Sequence, residues 1–513
     1  MQREMRLEVR TDRGAVRGRA EDVHGRIAVF RGIPFAKPPF GSLRFAAPEP
    51  AEAWQGIRPA FDFGPPPPQY DRMNPAVSTG PGADPAPDCL TVNVWSPDPG
   101  AARLPVMVWF HGGAYAFGQA GDPVYDGTRL AARGVVVVTF NYRVGMEGFA
   151  EIAGAPSNRG LLDQVAALRW VRENIAVFGG DPSRVTVFGE SAGAGSIAAL
   201  LAMDAAAGLF TRAVAQSVPG SYFSPGLAAD IASAVVGRLG LAATADELRT
   251  TDPYALVRAG EKTAATMGRR AERWGVVAHA ETLFSPVVDG VTLPCAPWDA
   301  VERGAARGIG LLLGHNRDEY RLFMAKRGEF GAVSAERAAL AHRVFGADAD
   351  SERAYGRAYP DAGTEQLYER VASDWLCRIP TVQLLDAQAG AGGSAHAYEL
   401  RWPAPVSGGL LGSCHGLDVP LVFGTLEAPL ARQMLGERPP REAVDLSARM
   451  RSAWTAFAAT GDPGWPSYGL DGLDGLDART TKVYDSADTV LGDPLAESRV
   501  LWEKRRFGVL DLI

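Results

Sequence analysis

The segment Gly189-Glu190-Ser191-Ala192-Gly193 fits the pattern G-x-S-x-G, and it falls directly between the apolar run VTVF and a small-residue stretch with helical character. A strand that reverses sharply into a helix presents the serine hydroxyl at the tip of the turn. Flanking glycines let neighbouring backbone approach where a Cβ would clash. Ser191 would also stand at the positive end of a helix, which favours a developing negative charge on oxygen. A second chemistry-bearing segment, Phe110-His111-Gly112-Gly113-Ala114-Tyr115, follows the run VMVW. A strand that ends in His-Gly-Gly is of the type that aims backbone N–H groups at an oxyanion. The same glycines also admit a competing reading, because Gly193 to Ala198 matches the dinucleotide fingerprint G-x-G-x-x-A. That fingerprint needs an acid about 20 residues on, at the end of the next strand. The next candidate strand, Arg212 to Ser217, has none, and the glycines lie inside the helix rather than before it, so the nucleotide reading is rejected.

The elements that must position these groups follow from patterning. Residues up to about 50 alternate apolar and polar positions between glycines, which predicts antiparallel strands and hairpins. The stretch from GPPPP at Gly64–Pro68 to Pro87 can be only loop. Leu90–Trp95, Val106–Phe110, Val135–Phe140, Val185–Phe188, Leu311–Gly314 and Ala395–Leu400 read as strands, several of them Val-rich and apolar throughout. Such runs belong to strands buried on both faces of a mostly parallel sheet. Leu161–Phe178, Ala192–Phe210 and Ala443–Thr460 read as helices, the stretch Asp230–Ala280 as helical and more polar, and the tail as short strands and turns. The alternation predicts an α/β architecture.

Composition bounds the rest. The 513 residues set a prior of about three domains. No linker separates independent cores, however, and the strand–helix alternation runs past residue 300, so one domain over residues 1–513 is expected. The net charge of −7 argues against nucleic acid as a partner. No C-x-x-C pair suggests a zinc ribbon, and the four cysteines, Cys89, Cys295, Cys377 and Cys414, are too dispersed for a disulfide scaffold. The start, MQREMRLEVRTDRG, carries no apolar signal core, and Ala192–Phe210 is read as a buried helix rather than a membrane span. The expected location is therefore the cytoplasm.

The segment FGGDPSRVTVFGESAG (Phe178–Gly193) resembles the nucleophile signature of the type-B carboxylesterases, the cholinesterase-like branch of the α/β-hydrolases. Asp88 to Val94 is similar to that family's second signature, and FRGIPFAKPP, NYRVG, NRGLLDQVAALRWVREN, SPVVDG, GHNRDE and HGLDVPLVFG extend the likeness in collinear order over roughly residues 7 to 500, closest to bacterial para-nitrobenzyl esterases. The resemblance implies an α/β-hydrolase fold with inserted helices and loops around a gorge. It implies a Ser191–His415–Glu319 triad, with Glu319 rather than Asp318 as the acid and His415 rather than His111 or His315 as the base. It carries the oxyanion role to the amides of Gly113, Ala114 and Ala192. The activity implied is hydrolysis of small carboxylic esters through an acyl-enzyme. Amide or carbamate hydrolysis on the same triad, or an inert binding homologue, are the alternatives. No cofactor and no metal are required, and a monomer or weak homo-oligomer is expected.

Some positions depart from the family pattern. Pro67 stands where secreted relatives carry a cysteine, so Cys89 is expected to be a reduced, buried thiol. Pro87 replaces a common Glu, and Val218 a common Gly. Cys414 is the cysteine nearest the proposed chemistry in sequence and is read as packing. Glu190 is read as a hydrogen-bonding neighbour of the nucleophile or as an attractor of cationic substrates. Tyr115, Phe284, Phe323 and Trp375 are gorge candidates for which core packing is the default.

Overall fold

The computed structural model describes residues 7–21, 26–70, 84, 87–100, 103–472 and 478–513. Much of the loop expected between Gly64 and Pro87 lies outside them. Fourteen strands form among the described residues: β1 Glu8–Arg10, β2 Ala15–Arg17, β3 Arg19–Glu21, β4 Ile27–Pro34, β5 Ile57–Pro59, β6 Thr91–Ser96, β7 Leu104–Phe110, β8 Val136–Phe140, β9 Gly180–Glu190, β10 Arg212–Gln216, β11 Gly310–Asn316, β12 Ala395–Leu400, β13 Thr480–Tyr484 and β14 Thr489–Gly492. Eleven make one sheet, in the order β14-β13-β12-β11-β10-β9-β7-β8-β6-β4-β3, and β1, β2 and β5 make a small second one. Strands β7 to β13 pair in parallel, and β3, β4, β6 and β14 add antiparallel margins. The expected large, mostly parallel sheet with N-terminal antiparallel strands is what forms.

The apolar runs explain the parallel centre. Val106, Val108 and Phe110 of β7 face one core, and Met107 and Trp109 face the other. β8 does the same with Val136, Val138 and Phe140 against Val137, and β11 with Leu311 and Leu313 against Leu312. This is the two-residue strand period with both faces apolar. Helix Arg159–Asn174 covers the first face with Leu161, Val165, Leu168 and Val171. Helix Arg441–Thr460 covers the second with Leu446, Met450, Trp454 and Phe457, and stops at Gly461 in the left-handed region.

Several boundaries differ from the sequence expectation. β9 begins at Gly180 rather than Val185. Its pairing with β7 is irregular between Leu104 and Val106, which accommodates Pro182 in the strand. The helix after Ser191 ends at Ala202, and helix Arg159–Asn174 gives way to a 3₁₀ turn, Ile175–Phe178. The apolar run after His415 is a short helix, Asp418–Phe423, because Pro420 is tolerated in a first turn and Gly424 caps it at φ 78°. No helix of the described residues is long and apolar enough to cross a membrane.

Beside the sheet, Arg143 and Asp163 form a bidentate ion pair, with Nη2–Oδ1 and Nε–Oδ2 both at 2.8 Å, and Asp163 also accepts the Arg143 amide at 3.0 Å. Side-chain exposure is 1% and 0%, so neither charge has water to fall back on. Replacing Asp163 by alanine strands a buried guanidinium. It is expected to cost about 3–5 kcal/mol, read as a lower urea midpoint with unchanged slope.

Candidate active site

The parallel strands bring their C-terminal ends to one edge, where ligands bind in open α/β sheets. Ser191 follows β9 directly, Glu319 lies just past β11, and His415 lies in the loop after β12. Ser191 has φ 56° and ψ −123°, outside the regions that L-residues favour, and the turn costs of order 1–3 kcal/mol. Its neighbours over-determine it. The Ser191 amide donates to Gln216 O at 2.9 Å, and Gly195 N donates to Ser191 O at 2.9 Å. A Cβ on Gly193 would fall on the Phe110 carbonyl, and one on Gly195 on the Tyr115 hydroxyl. The glycines that imitate a nucleotide fingerprint are therefore packing positions inside a helix.

The three residues implied by resemblance meet. His415 Nε2 lies 2.9 Å from Ser191 Oγ, and His415 Nδ1 lies 2.6 Å from Glu319 Oε2. Glu319 Oε1 accepts from Ser217 Oγ at 2.6 Å and from the Asn316 amide at 2.8 Å. Burial works against ionising Glu319, but His415 and these donors outweigh it and hold the carboxyl below its ordinary value. Asp318, the adjacent acid, points elsewhere: its Oδ2 accepts from the Ser413 amide at 2.8 Å and pairs with Arg317 at 3.0 Å.

The two histidines weighed against His415 lie elsewhere. His111 is fully buried, stacks on Tyr142 with ring centroids 4.2 Å apart, and is held at about pKa 4 by burial. Its ring contacts Gly112 O at 2.8 Å, not Ser191. His315 is buried as well, and burial lowers its pKa.

Glu190 approaches the imidazole at the same nitrogen as Ser191. Its Oε1 lies 3.1 Å from His415 Nε2 and makes no hydrogen bond among the described residues. Burial raises the Glu190 pKa above the ordinary carboxyl range. His415 is pulled down by burial, but the Glu190 and Glu319 carboxylates more than offset this and hold it above an ordinary imidazole.

The loop after β7 carries Gly113 at φ 116°, Ala114 at φ 52° and Tyr115 at φ 58°. It is tied by Ala116 N to Gly113 O at 2.9 Å, Gly145 N to Tyr115 O at 2.6 Å, and Thr282 Oγ1 to Ala114 O at 2.9 Å. The amides of Gly113 and Ala114 donate to no backbone carbonyl among the described residues. The Ala192 amide opens helix Ala192–Ala202, where the first N–H groups lack intrahelical partners.

Of the aromatic candidates, Tyr115 packs on Phe149 and Trp375 on Phe345, both at 4.9 Å between centroids. Phe323 stands 5.4 Å from the His415 ring. Phe284 lines a cavity of about 120 Å³ with Ala114, Phe117, Met146 and Thr282. All four cysteines are free, and Cys89 is buried as expected. Cys414 Sγ turns toward Met434 Sδ at 3.8 Å. The thiol beside the triad is instead Cys377, carried on a π-turn, Asp374–Arg378. Neither it nor Ser217 gave a sequence signal, because a π-turn and a single serine after a strand leave no periodic trace.

A serine, a carboxylate and an imidazole in this chain order on an open parallel sheet define the α/β-hydrolase class. The sequence profile of the carboxylesterase family matches residues 5–484. The chain is 38% identical over 499 residues to the para-nitrobenzyl esterase of Bacillus subtilis (strain 168), covering 96% of this chain and 97% of that one. It is 34% identical to carboxylesterase 3 of Homo sapiens, covering 89% and 83%. Among solved structures, a carboxylesterase of Geobacillus stearothermophilus at pH 6.2 superposes with TM-score 0.82 at 35% identity, over 97% of this chain and 100% of that one. A para-nitrobenzyl (PNB) esterase superposes with TM-score 0.83 at 37% identity, over 97% and 99%. The chain belongs to the carboxylesterase family and is a carboxylic-ester hydrolase.

Proposed function

We propose that the protein cleaves small-molecule carboxylic esters through a Ser191–His415–Glu319 triad and an acyl-enzyme. The observation that carries this reading is the pair of hydrogen bonds centred on His415, 2.9 Å to Ser191 Oγ and 2.6 Å to Glu319. A serine hydroxyl is a weak nucleophile until a base takes its proton. His415 Nε2 accepts that proton as Oγ attacks the ester carbonyl, then delivers it to the leaving alcohol. Glu319 keeps the other ring proton on Nδ1 and stabilises the imidazolium. The amides of Gly113, Ala114 and Ala192 receive the oxyanion, and losing one such donor costs about 2.7–4 kcal/mol. Water then attacks the acyl-enzyme with His415 as base.

The test is covalent. A sulfonyl fluoride is expected to abolish hydrolysis of short-chain para-nitrophenyl esters and to leave its adduct on the peptide that contains Ser191. Full inactivation with the adduct on another residue overturns the assignment.

Glu190 gives the reading a pH signature. His415 must be neutral to act as base, so kcat/KM rises as pH climbs through its pKa. Glu190→Gln removes a carboxylate that holds this pKa up. The acid limb of the kcat/KM profile is expected to move to lower pH, as measured by rates across a pH series.

A further inference from the structure

Beside the acid and base of the triad stands a thiol, Cys377, that ester hydrolysis does not use. Cys377 Sγ, a Glu319 carboxylate oxygen and a His415 ring nitrogen all lie within 4.8 Å of one another. The three residues are 1%, 0% and 8% exposed, with His415 the member open to the site. The charged groups acting on the Cys377 thiol are Glu319, Glu190 and Asp418, and every one is a carboxylate. Asp418 Oδ2 is engaged by Gln216 at 2.8 Å and Tyr398 at 2.7 Å, while its Oδ1 has no hydrogen-bond partner among the described residues. The thiol's acidic neighbours are thus carboxyl groups, and the basic group in its donor set is an imidazole.

A thiolate, an imidazole and a carboxylate are the ligand types of zinc, and the thiolate selects against magnesium and calcium. Zinc takes sulfur at ~2.3 Å and nitrogen or oxygen at ~2.0–2.2 Å. The donors must therefore draw together by about an ångström. We propose that Cys377, Glu319 and His415 form an inhibitory site for a thiophilic divalent cation such as Zn²⁺ or Cd²⁺. Binding releases the Cys377 thiol proton to solvent and places the His415 ring proton on Nε2, so that Sγ and Nδ1 become ligands. His415 then no longer holds the tautomer and orientation that serve Ser191. The site itself stands on geometry, and only its inhibitory effect rests on the proposed role of His415 as base.

The experiment titrates the intact protein with Zn²⁺ and with Cd²⁺, reading esterase rate and the ultraviolet thiolate-to-cadmium charge-transfer band. The parent is expected to lose activity reversibly, with recovery on adding a chelator, and to show the band. Cys377→Ser is expected to keep its basal rate, lose the band and need roughly 10–100-fold more metal for inhibition. Cys414→Ser and Cys89→Ser are expected to behave as the parent. A Cys377→Ser protein as metal-sensitive as the parent, or a band lost in Cys414→Ser instead, overturns the site. A Cys377-dependent band with an undiminished esterase rate keeps the site and overturns the role of His415.

Discussion

Replacing Ser191 by alanine is expected to lower kcat by about 10⁶-fold, the scale seen when a triad nucleophile is removed. The loss should be purely chemical. Alanine retains the Cβ and so inherits the same strained turn at φ 56°, and the Ser191 amide and carbonyl keep their bonds to Gln216 O and Gly195 N. The unfolding midpoint should therefore stay close to the parent's. A residual rate some 10³–10⁴ above the uncatalysed reaction should persist, because oxyanion donors and binding still operate. Burst kinetics with a para-nitrophenyl ester check both halves, since the variant should show neither burst nor fast turnover. A variant retaining a tenth of parental kcat would place the nucleophile elsewhere.

Glu319→Gln is expected to lower kcat by about 10⁴-fold. The carboxylate receives three donors, from His415, Ser217 and the Asn316 amide. A carboxylate accepts on both oxygens, whereas a glutamine amide accepts on one and donates from the other. Any orientation of the amide thus sets its NH₂ against at least one of these donors. If it faces His415, the ring is driven to the tautomer with its proton on Nε2, where it cannot take one from Ser191. Some loss of stability should accompany this variant, which separates it from Ser191→Ala. The measurements are kcat under saturating substrate and a thermal melt of each protein. Parental kcat in Glu319→Gln would show that the acid of the site lies elsewhere.

What the sequence discloses here follows the range of the forces involved. The turn at Ser191 is set within a dozen residues, by an apolar run, two glycines and a small-residue helix, so it can be read locally. The apolar strands β7, β8 and β11 are equally plain, because both their faces are core. His415 and Glu319 carry no such local mark. What brings them to Ser191 is the adjacency of β10, β11 and β12, a non-local fact that only resemblance could supply. The helices between Gly314 and Ala395 are not legible for another reason. Helix Ala335–Phe345 buries Ala338, Ala341, His342 and Phe345, too small or polar a set to form an apolar stripe. Helix Ile379–Gly390 opens with a proline, which reads as a break but is at home in a first turn. Cys377 sits on the π-turn between helices Thr364–Ser373 and Ile379–Gly390, where the helical phase slips and face assignments made from periodicity fail.

The two-faced sheet has a consequence for how the protein is made. β9 leads into Ser191, and Phe188 near its end packs in the core that helix Arg441–Thr460 closes. Trp454 of that helix donates to Gln216 at 3.0 Å, and Gln216 in turn bonds Asp418. A growing chain that has already threaded the nucleophile strand therefore exposes apolar surface on one side until its last stretch is synthesised. Contacts of such sequence separation fold slowly and leave intermediates prone to aggregate. Shortening the chain before residue 460 should thus yield insoluble protein rather than a smaller active enzyme, and recovery from denaturant should improve with dilution.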